Sequence, residues 1–284
     1  MFLPRKILEK RLLNMLAEDV GEGDVTTALI VPAGATVHAE VRCKEAGVAA
    51  GIEEGTVLLE SLGLKVQASL KDGDKMKSNQ VVMKVWGDTR TILSVERTLL
   101  NLLSRMSGIA TTTRKLVRKI QKAKLKTKVA CTRKTAPGLL YFDKKAVLVG
   151  GGDPHRLHLD DMILIKTNHI LAAGSFEKAV RIAKDRASFS KKVEVEVTNT
   201  AEALKAAEAG VDIIMLDNFS PKQIEETIKA LEKAGLSGKA LLEASGGITG
   251  PNMLKFASKR VDIISLGEIT ESVRALDMNL KVTK

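Results

Sequence analysis

"VEVEVTNTAEALKAAEAGVDIIMLDN", residues 193–218, sets the rhythm of the second half of the chain. VEVEV alternates strictly and reads as a strand. TAEALKAAEAG carries helix formers and ends on glycine, and VDIIML is a second apolar strand. Strand, helix and strand at this spacing make a parallel βαβ unit. The rhythm continues on both sides. Downstream come the helix SPKQIEETIKALEKAG, the strand ALLEA (240–244), the helix PNMLKFASK and the strand VDIISL (261–266). Upstream, KVACTRK (128–134) and MILIK (162–166) extend the series. No GxGxxG follows a first strand, which argues against a dinucleotide-binding fold.

Each of these strands ends on something chemically useful. The ends carry Arg133-Lys134, Lys166, Glu196, Asp217-Asn218, Ser245-Gly246-Gly247 and Gly267. In a βα barrel the C-terminal ends of the strands form the active-site face. Polar groups gathered at one end of several strands favour a barrel over an open sheet.

Alternation in VEVEV puts Val193, Val195 and Val197 on one face and Glu194 and Glu196 on the other. With the valines against helices, both glutamates point into the barrel, where a carboxylate needs a cation, a metal or substrate hydroxyls. Glu196 is nearer the open end. Asp217 is free of capping duty because Ser220 is the better N-cap for the next helix. Together Glu196 and Asp217 could face a ribose or a Mg²⁺, which takes one or two protein carboxylates plus substrate phosphates. The glycines of ASGGIT allow backbone N–H groups to approach a phosphate, and Gly267 in SLGE would complete the cradle. Opposite, Arg133, Lys134, His155, Arg156 and Lys166 would form a basic wall. Adjacent cations in a partly dry cleft call for an anion. The histidines lack any zinc-site spacing, and His158 and His169 read as structural.

The first hundred residues have a different character. Ile7–Val20 reads as a helix, TVHAEVRCKEAGVAAG begins as a strand, and LKDGDKMKSNQVVMKVWGD reads as strand, Asp-Gly turn and strand. This is an α+β pattern with an antiparallel sheet. A long helix is expected over Thr91–Met106, ended by Ser107-Gly108, with a second amphipathic helix carrying Ile109, Leu116, Val117, Ile120 and Ala123 after it. Ser94, Arg97, Asn101, Ser104 and Arg105 form a polar stripe on the first of these. Read alone, Arg97 is a solvated or capping arginine.

The 284 residues are 44% hydrophobic but only 3% aromatic, so the core is aliphatic. Forty-five basic against 34 acidic residues give a formal charge of +11, which points to an anionic partner. The excess is concentrated: 97–142 holds no Asp or Glu. Lys115–Lys128 reads largely as a solvated face, and the window's only aromatics, Tyr141 and Phe142, are too few for stacking on single-stranded nucleic acid. Nucleic acid is therefore not expected as a partner. Two cysteines, Cys43 and Cys131, give no disulfide framework, so a cytoplasmic location is expected. The N-terminus reads as a charged amphipathic helix rather than a signal peptide, and no apolar run approaches the ~18 residues of a membrane span.

The motifs ERTLLNLLSRMSGIAT, TRKTAPG, VGGGDPHR, DDMILIKTNH, VEVEV, IIMLDNF and EASGGIT, in this order, resemble quinolinate phosphoribosyltransferase, the carboxylating nicotinate-nucleotide pyrophosphorylase. The resemblance implies an N-terminal α/β sandwich domain over 1–108, with 270–284 a candidate to pack back on it. It implies an incomplete α/β barrel of about seven strands over 109–269, of the type II phosphoribosyltransferase kind. The implied reaction joins quinolinate and phosphoribosyl pyrophosphate (PRPP) to give nicotinate mononucleotide, pyrophosphate and CO₂, with Mg²⁺, in de novo NAD biosynthesis. By resemblance, Arg133, Lys134, His155, Arg156 and Lys166 bind quinolinate or pyrophosphate, with Lys166, Glu196 and Asp217 catalytic. Glu196 and Asp217 would contact the ribose or the metal, and Ser245, Gly246, Gly247 and Gly267 the 5′-phosphate. A homodimer or higher homo-oligomer with shared sites is implied, Arg97 reaching into the neighbouring subunit's site. Three positions depart from the family pattern: Cys131 and Thr167 stand where acids are usual, and Ala136 where a second threonine is usual. FDKKAVLVGGG also resembles the paralogue associated with molybdenum transport, which typically lacks a lysine at the position of Lys166. Two further alternatives are a barrel enzyme using Lys166 as a Schiff base and a basic nucleic-acid-binding protein.

Overall fold

The computed structural model describes residues 3–283. Its first elements are α1 (Arg5–Val20), α2 (Val25–Ile30), β1 (Thr36–Cys43), β2 (Gly47–Val48), α3 (Ile52–Ser61), β3 (Lys65–Ala68), β4 (Lys75–Met76), β5 (Val81–Asp88) and α4 (Thr89–Lys122). There follow β6 (Lys128–Cys131), α5 (Leu140–Gly150), β7 (Ile163–Ile165), α6 (Thr167–Ala173), α7 (Phe176–Arg186), β8 (Val193–Val197) and α8 (Thr200–Glu208). The chain ends with β9 (Ile213–Asp217), α9 (Pro221–Lys233), β10 (Leu241–Ser245), α10 (Met253–Ala257), β11 (Ile263–Leu266), α11 (Glu268–Glu271) and β12 (Met278–Thr283).

Two compact units result. The first holds residues 3–114, Tyr141–Gly151 and 273–283; the second holds Lys115–Leu140 and Gly152–Ser272. In the first unit an antiparallel sheet runs β12-β1-β5-β3. Alternation in β1 buries Ala39, Val41 and Cys43. The Asp-Gly turn does not join two strands of this sheet. β4 is only two residues long and pairs with β2, while β5 pairs with β1 and β3. The turn is pinned elsewhere: Asp72 Oδ1 accepts the Ile52 N–H at 2.8 Å, and the Gly73 N–H donates to the Ala49 carbonyl at 2.8 Å.

The expected break at Ser107-Gly108 is absent. α4 is one continuous helix of 34 residues. Both residues serve close approach instead. Ser107 Oγ accepts the Ala50 N–H at 3.1 Å and donates to the Ala50 carbonyl at 3.2 Å. A Cβ on Gly108 would lie 2.2 Å from the Arg274 carbonyl oxygen. A small residue chosen for a neighbouring backbone looks, in sequence, like a helix stop.

α5 comes from the stretch read as barrel, yet it groups with the first unit. Asp143, fully buried, receives both Nε and an Nη of Arg105, at 2.7 and 2.8 Å. Lys145 Nζ donates to Glu54 at 2.6 Å and also to Glu53. The segmentation read from the sequence differs from the observed units chiefly in this helix.

The second unit carries a parallel sheet of six strands in the order β6-β11-β10-β9-β8-β7. About seven were expected; the extra element is reduced to a single parallel bridge between Ala130 and Asp153. Among the described residues β6 and β7 do not pair, so the barrel is incomplete. The repeated VDII motif does the same work twice. Asp212 accepts the Val193 N–H at 2.7 Å and Asp262 accepts the Leu242 N–H at 2.8 Å, each fixing the start of the neighbouring strand. Among the described residues no helix is long and apolar enough to cross a membrane.

Candidate active site

A cleft of about 560 Å³ lies within the second unit, at the C-terminal ends of the parallel strands. Its construction follows from the period of two. Residues two apart on a strand share a face, and the lining comes in such pairs: Cys131 and Arg133, Leu164 and Lys166, Met215 and Asp217, Glu243 and Ser245, Ser265 and Gly267. The outer member of each pair is polar or a glycine and the inner member closes the floor. Eleven of the twelve residues read from the sequence as a site line this cleft: Arg133, Lys134, His155, Arg156, Lys166, Glu196, Asp217, Ser245, Gly246, Gly247 and Gly267. Arg97 does not. It is exposed on α4, and its side chain makes no ion pair or hydrogen bond among the described residues.

On the basic wall, Arg133 is exposed and its side chain likewise has no partner among the described residues. Burial, and then the neighbouring Arg133, lower the pKa of Arg156, against the pull of Glu194, Glu196 and Asp161. Lys134 Nζ lies 3.3 Å from Glu271, an exposed pair of little strength. Lys166 Nζ donates to Glu196 Oε1 at 2.7 Å, so the strand-ending cation and the outer glutamate answer each other across β7 and β8. His169 Nδ1 accepts the Lys166 N–H at 2.9 Å at the start of α6.

The inner glutamate meets a different partner. Glu194 is fully buried, and burial raises its pKa. His155 Nε2 stands 3.5 Å from Glu194 Oε2 and 3.1 Å from Glu243 Oε2. Burial of the ring opposes its charging, but the two carboxylates outweigh burial and move its pKa up to about 10. One contact works the other way. The Arg156 N–H points at Nδ1 from 2.8 Å and needs a lone pair there, which favours the neutral ring with its hydrogen on Nε2. His155 itself sits at φ 55°, and its N–H is held by Asp153 Oδ1 at 2.8 Å.

Glu243 is a charged residue of the cleft lining that sequence reading missed. It stands in the apolar run LLEAS, where no alternation marks it. The available signal was parity: a residue two before Ser245 shares its face.

Asp217 is relieved of capping as expected, because Ser220 and Gln223 form a capping box on α9. Its Oδ2 accepts from Asn218 Nδ2 at 3.0 Å. Gly246 adopts φ 89°, and a Cβ there would fall 2.3 Å from Asn218 Oδ1 and 2.9 Å from the Asn218 backbone nitrogen. Gly246→Ala should therefore lower unfolding stability by about 1–3 kcal/mol, the scale of a strained left-handed residue. Calorimetry checks this, and an unchanged Tm would show that the turn accommodates a side chain. Gly267 lies against Lys134, whose Cδ would be 3.3 Å from an added Cβ.

The matches to protein families cover both units. Residues 24–107 match the quinolinate phosphoribosyl transferase N-terminal domain and residues 109–281 the C-terminal domain. The chain belongs to the quinolinate phosphoribosyltransferase family. A probable nicotinate-nucleotide pyrophosphorylase [carboxylating] of Methanothermobacter thermautotrophicus is 44% identical over 269 residues, spanning 95% of this chain and 96% of that protein. The human nicotinate-nucleotide pyrophosphorylase [carboxylating] is 39% identical over 99% of this chain and 94% of its own length. The crystal structure of NadC from Streptococcus pyogenes superposes with a TM-score of 0.89 at 37% identity, covering 100% of both chains. These relatives favour the quinolinate family over the paralogue associated with molybdenum transport.

Proposed function

We propose that the protein transfers the phosphoribosyl group of PRPP to quinolinate with loss of CO₂, giving nicotinate mononucleotide and pyrophosphate. The observation that carries this reading is one cleft holding a basic wall, two strand-end carboxylates and a glycine turn. PRPP brings a 5′-phosphate, a ribose and a pyrophosphate, and quinolinate brings two carboxylates. In this assignment Ser245, Gly246, Gly247 and Gly267 receive the 5′-phosphate, and Glu196 and Asp217 the ribose or its metal. Arg133, Lys134, Arg156 and Lys166, with His155 among them, form the wall for the carboxylates and the pyrophosphate.

The chemistry suits these groups. The C1–O bond to pyrophosphate breaks through an oxocarbenium-like state, so placed charge matters more than a strong base. Glu196 and Asp217 stabilise the positive ribosyl centre. The pyridine nitrogen forms the new bond to C1 and becomes cationic. The electron pair left on the ring carbon when the 2-carboxylate departs as CO₂ is stabilised by the adjacent cationic nitrogen, and that carbon then takes up a proton.

Mg²⁺ is proposed as cofactor. Glu196 and Asp217 fit it: two partly buried carboxylates at neighbouring strand ends are what this ion takes from a protein when substrate phosphates complete its shell. When bound, it would neutralise charge on the pyrophosphate. The reading also includes a cytoplasmic enzyme, with Cys43 and Cys131 buried and in no disulfide, and a homodimer or higher homo-oligomer in which Arg97 completes a neighbour's wall.

Substrate choice tests the assignment. A wall built for two carboxylates should turn over quinolinate roughly a hundredfold or more faster than nicotinate in kcat/KM, because the monoacid leaves part of the basic wall unanswered. Purified protein assayed with PRPP, Mg²⁺ and either acid, following CO₂ release, decides it. Comparable turnover of the two acids would sink the reading.

A further inference from the structure

Glu243 is fully buried, and it lies on the floor of the cleft against His155 of the basic wall. Its Oε2 lies 3.1 Å from His155 Nε2, and His155 Nδ1 in turn takes the Arg156 N–H at 2.8 Å. Both nitrogens of the ring are thereby engaged by the protein itself. In the neutral tautomer Nε2 carries the hydrogen that Glu243 accepts, and Nδ1 keeps the lone pair that takes the Arg156 N–H. The ring therefore links a carboxylate under the floor to the main chain of the arginine beside it. The turn it braces is a demanding one: His155 holds a left-handed backbone, a conformation disfavoured for a side chain of this size unless its surroundings enforce it.

We propose that Glu243 is a positioning residue for quinolinate recognition, acting through His155 to fix the turn that presents Arg156. His155 is then a strut of the wall as well as one of its members. A metal site is the rival use of the same atoms, since His155, Glu194 and Glu243 offer ligand atoms within 4.8 Å of one another. The geometry is against it: an Nε2 that carries a hydrogen has no lone pair for an ion.

The inference rests on the reading of the wall as the quinolinate side, so the test begins with Arg156→Ala. That variant must raise the quinolinate KM; if it does not, the wall reading fails and Glu243 is not yet in question. Given that rise, Glu243→Leu, which keeps the volume and removes the acceptor, should raise the quinolinate KM about tenfold, on the scale of a lost hydrogen bond to a positioned group. The PRPP KM should stay within about threefold. Glu243→Gln retains an acceptor for Nε2–H and should stay within about threefold of wild type. In the Arg156→Ala background, Glu243→Leu should add less than about threefold, because a strut has nothing left to position. Should Glu243→Leu fail to fold, the pair at His155 gives the same answer. Asn tolerates the left-handed backbone and offers an oxygen to the Arg156 N–H, so His155→Asn should lose less quinolinate affinity than His155→Leu. Equal losses in Gln and Leu at 243, equal losses in Asn and Leu at 155, or full additivity with Arg156→Ala would overturn the proposal. So would a stoichiometric metal in the wild-type protein as isolated that Glu243→Gln removes.

Discussion

Lys166→Ala is expected to lose about 2–4 kcal/mol of transition-state stabilisation, the scale of one preorganised electrostatic group, or ~30–1000-fold in kcat/KM. Lys166 closes β7 and its ammonium is held 2.7 Å from Glu196, over the cleft in which pyrophosphate would leave. Its side chain is 47% exposed, so the resting ion pair contributes little to stability. The fold should therefore be indifferent to the change, and Tm and rate should separate. Removing the ammonium also leaves Glu196 without the cation that answers it, which adds to the loss at the ribosyl centre. Steady-state kinetics with quinolinate and PRPP check this. A variant within about threefold of wild type would make Lys166 redundant, and borohydride trapping of substrate on Lys166 would instead revive the Schiff-base alternative.

Arg97 gives the second large effect. It is exposed, without an intramolecular partner among the described residues, on a helix that engages several of its other polar side chains: Ser94 with Asp24, Thr98 with Asp19, and Arg105 with Asp143. In the proposed dimer it completes the wall of the other subunit. Arg97→Ala and Lys166→Ala should each be nearly inactive alone, and mixing them should restore activity. With free exchange about half the dimers are mixed, and each of those has one site with both residues intact, so recovery near a quarter of wild type is expected. Absence of recovery, once exchange is shown independently by mass, would remove Arg97 from the partner's site.

The site was more legible than the frame around it. Strand ends in a βα series are marked by an apolar run that stops on a polar residue, and Lys166, Glu196, Asp217 and Ser245 all carry that mark. Eleven expected residues meet in one cleft for this reason. Residues whose role depends on a distant neighbour carry no such mark. Gly108 was read as a helix end because nothing local reveals the Arg274 carbonyl pressed against it. The Asp-Gly turn was read as a hairpin because the Ile52 N–H that Asp72 receives lies twenty residues away. Glu243 was invisible for a related reason: a lone acid in an apolar strand acquires meaning only when His155 arrives from another loop.

The first unit is assembled from three separate stretches of chain, and its sheet is finished by β12, the last in sequence of the described strands. During synthesis β1 and β5 leave the ribosome early, while the outer edge of β1 waits for nearly the whole remaining sequence. At ~5–20 residues per second that wait is ~10–40 s. Throughout it, β1 offers an unpaired row of N–H and C=O groups to any other extended chain, including a neighbouring copy on the same message. The nascent protein is thus most exposed to mispairing late in translation, when its catalytic strands have already been made, and a chain truncated before Met278 would carry that open edge permanently.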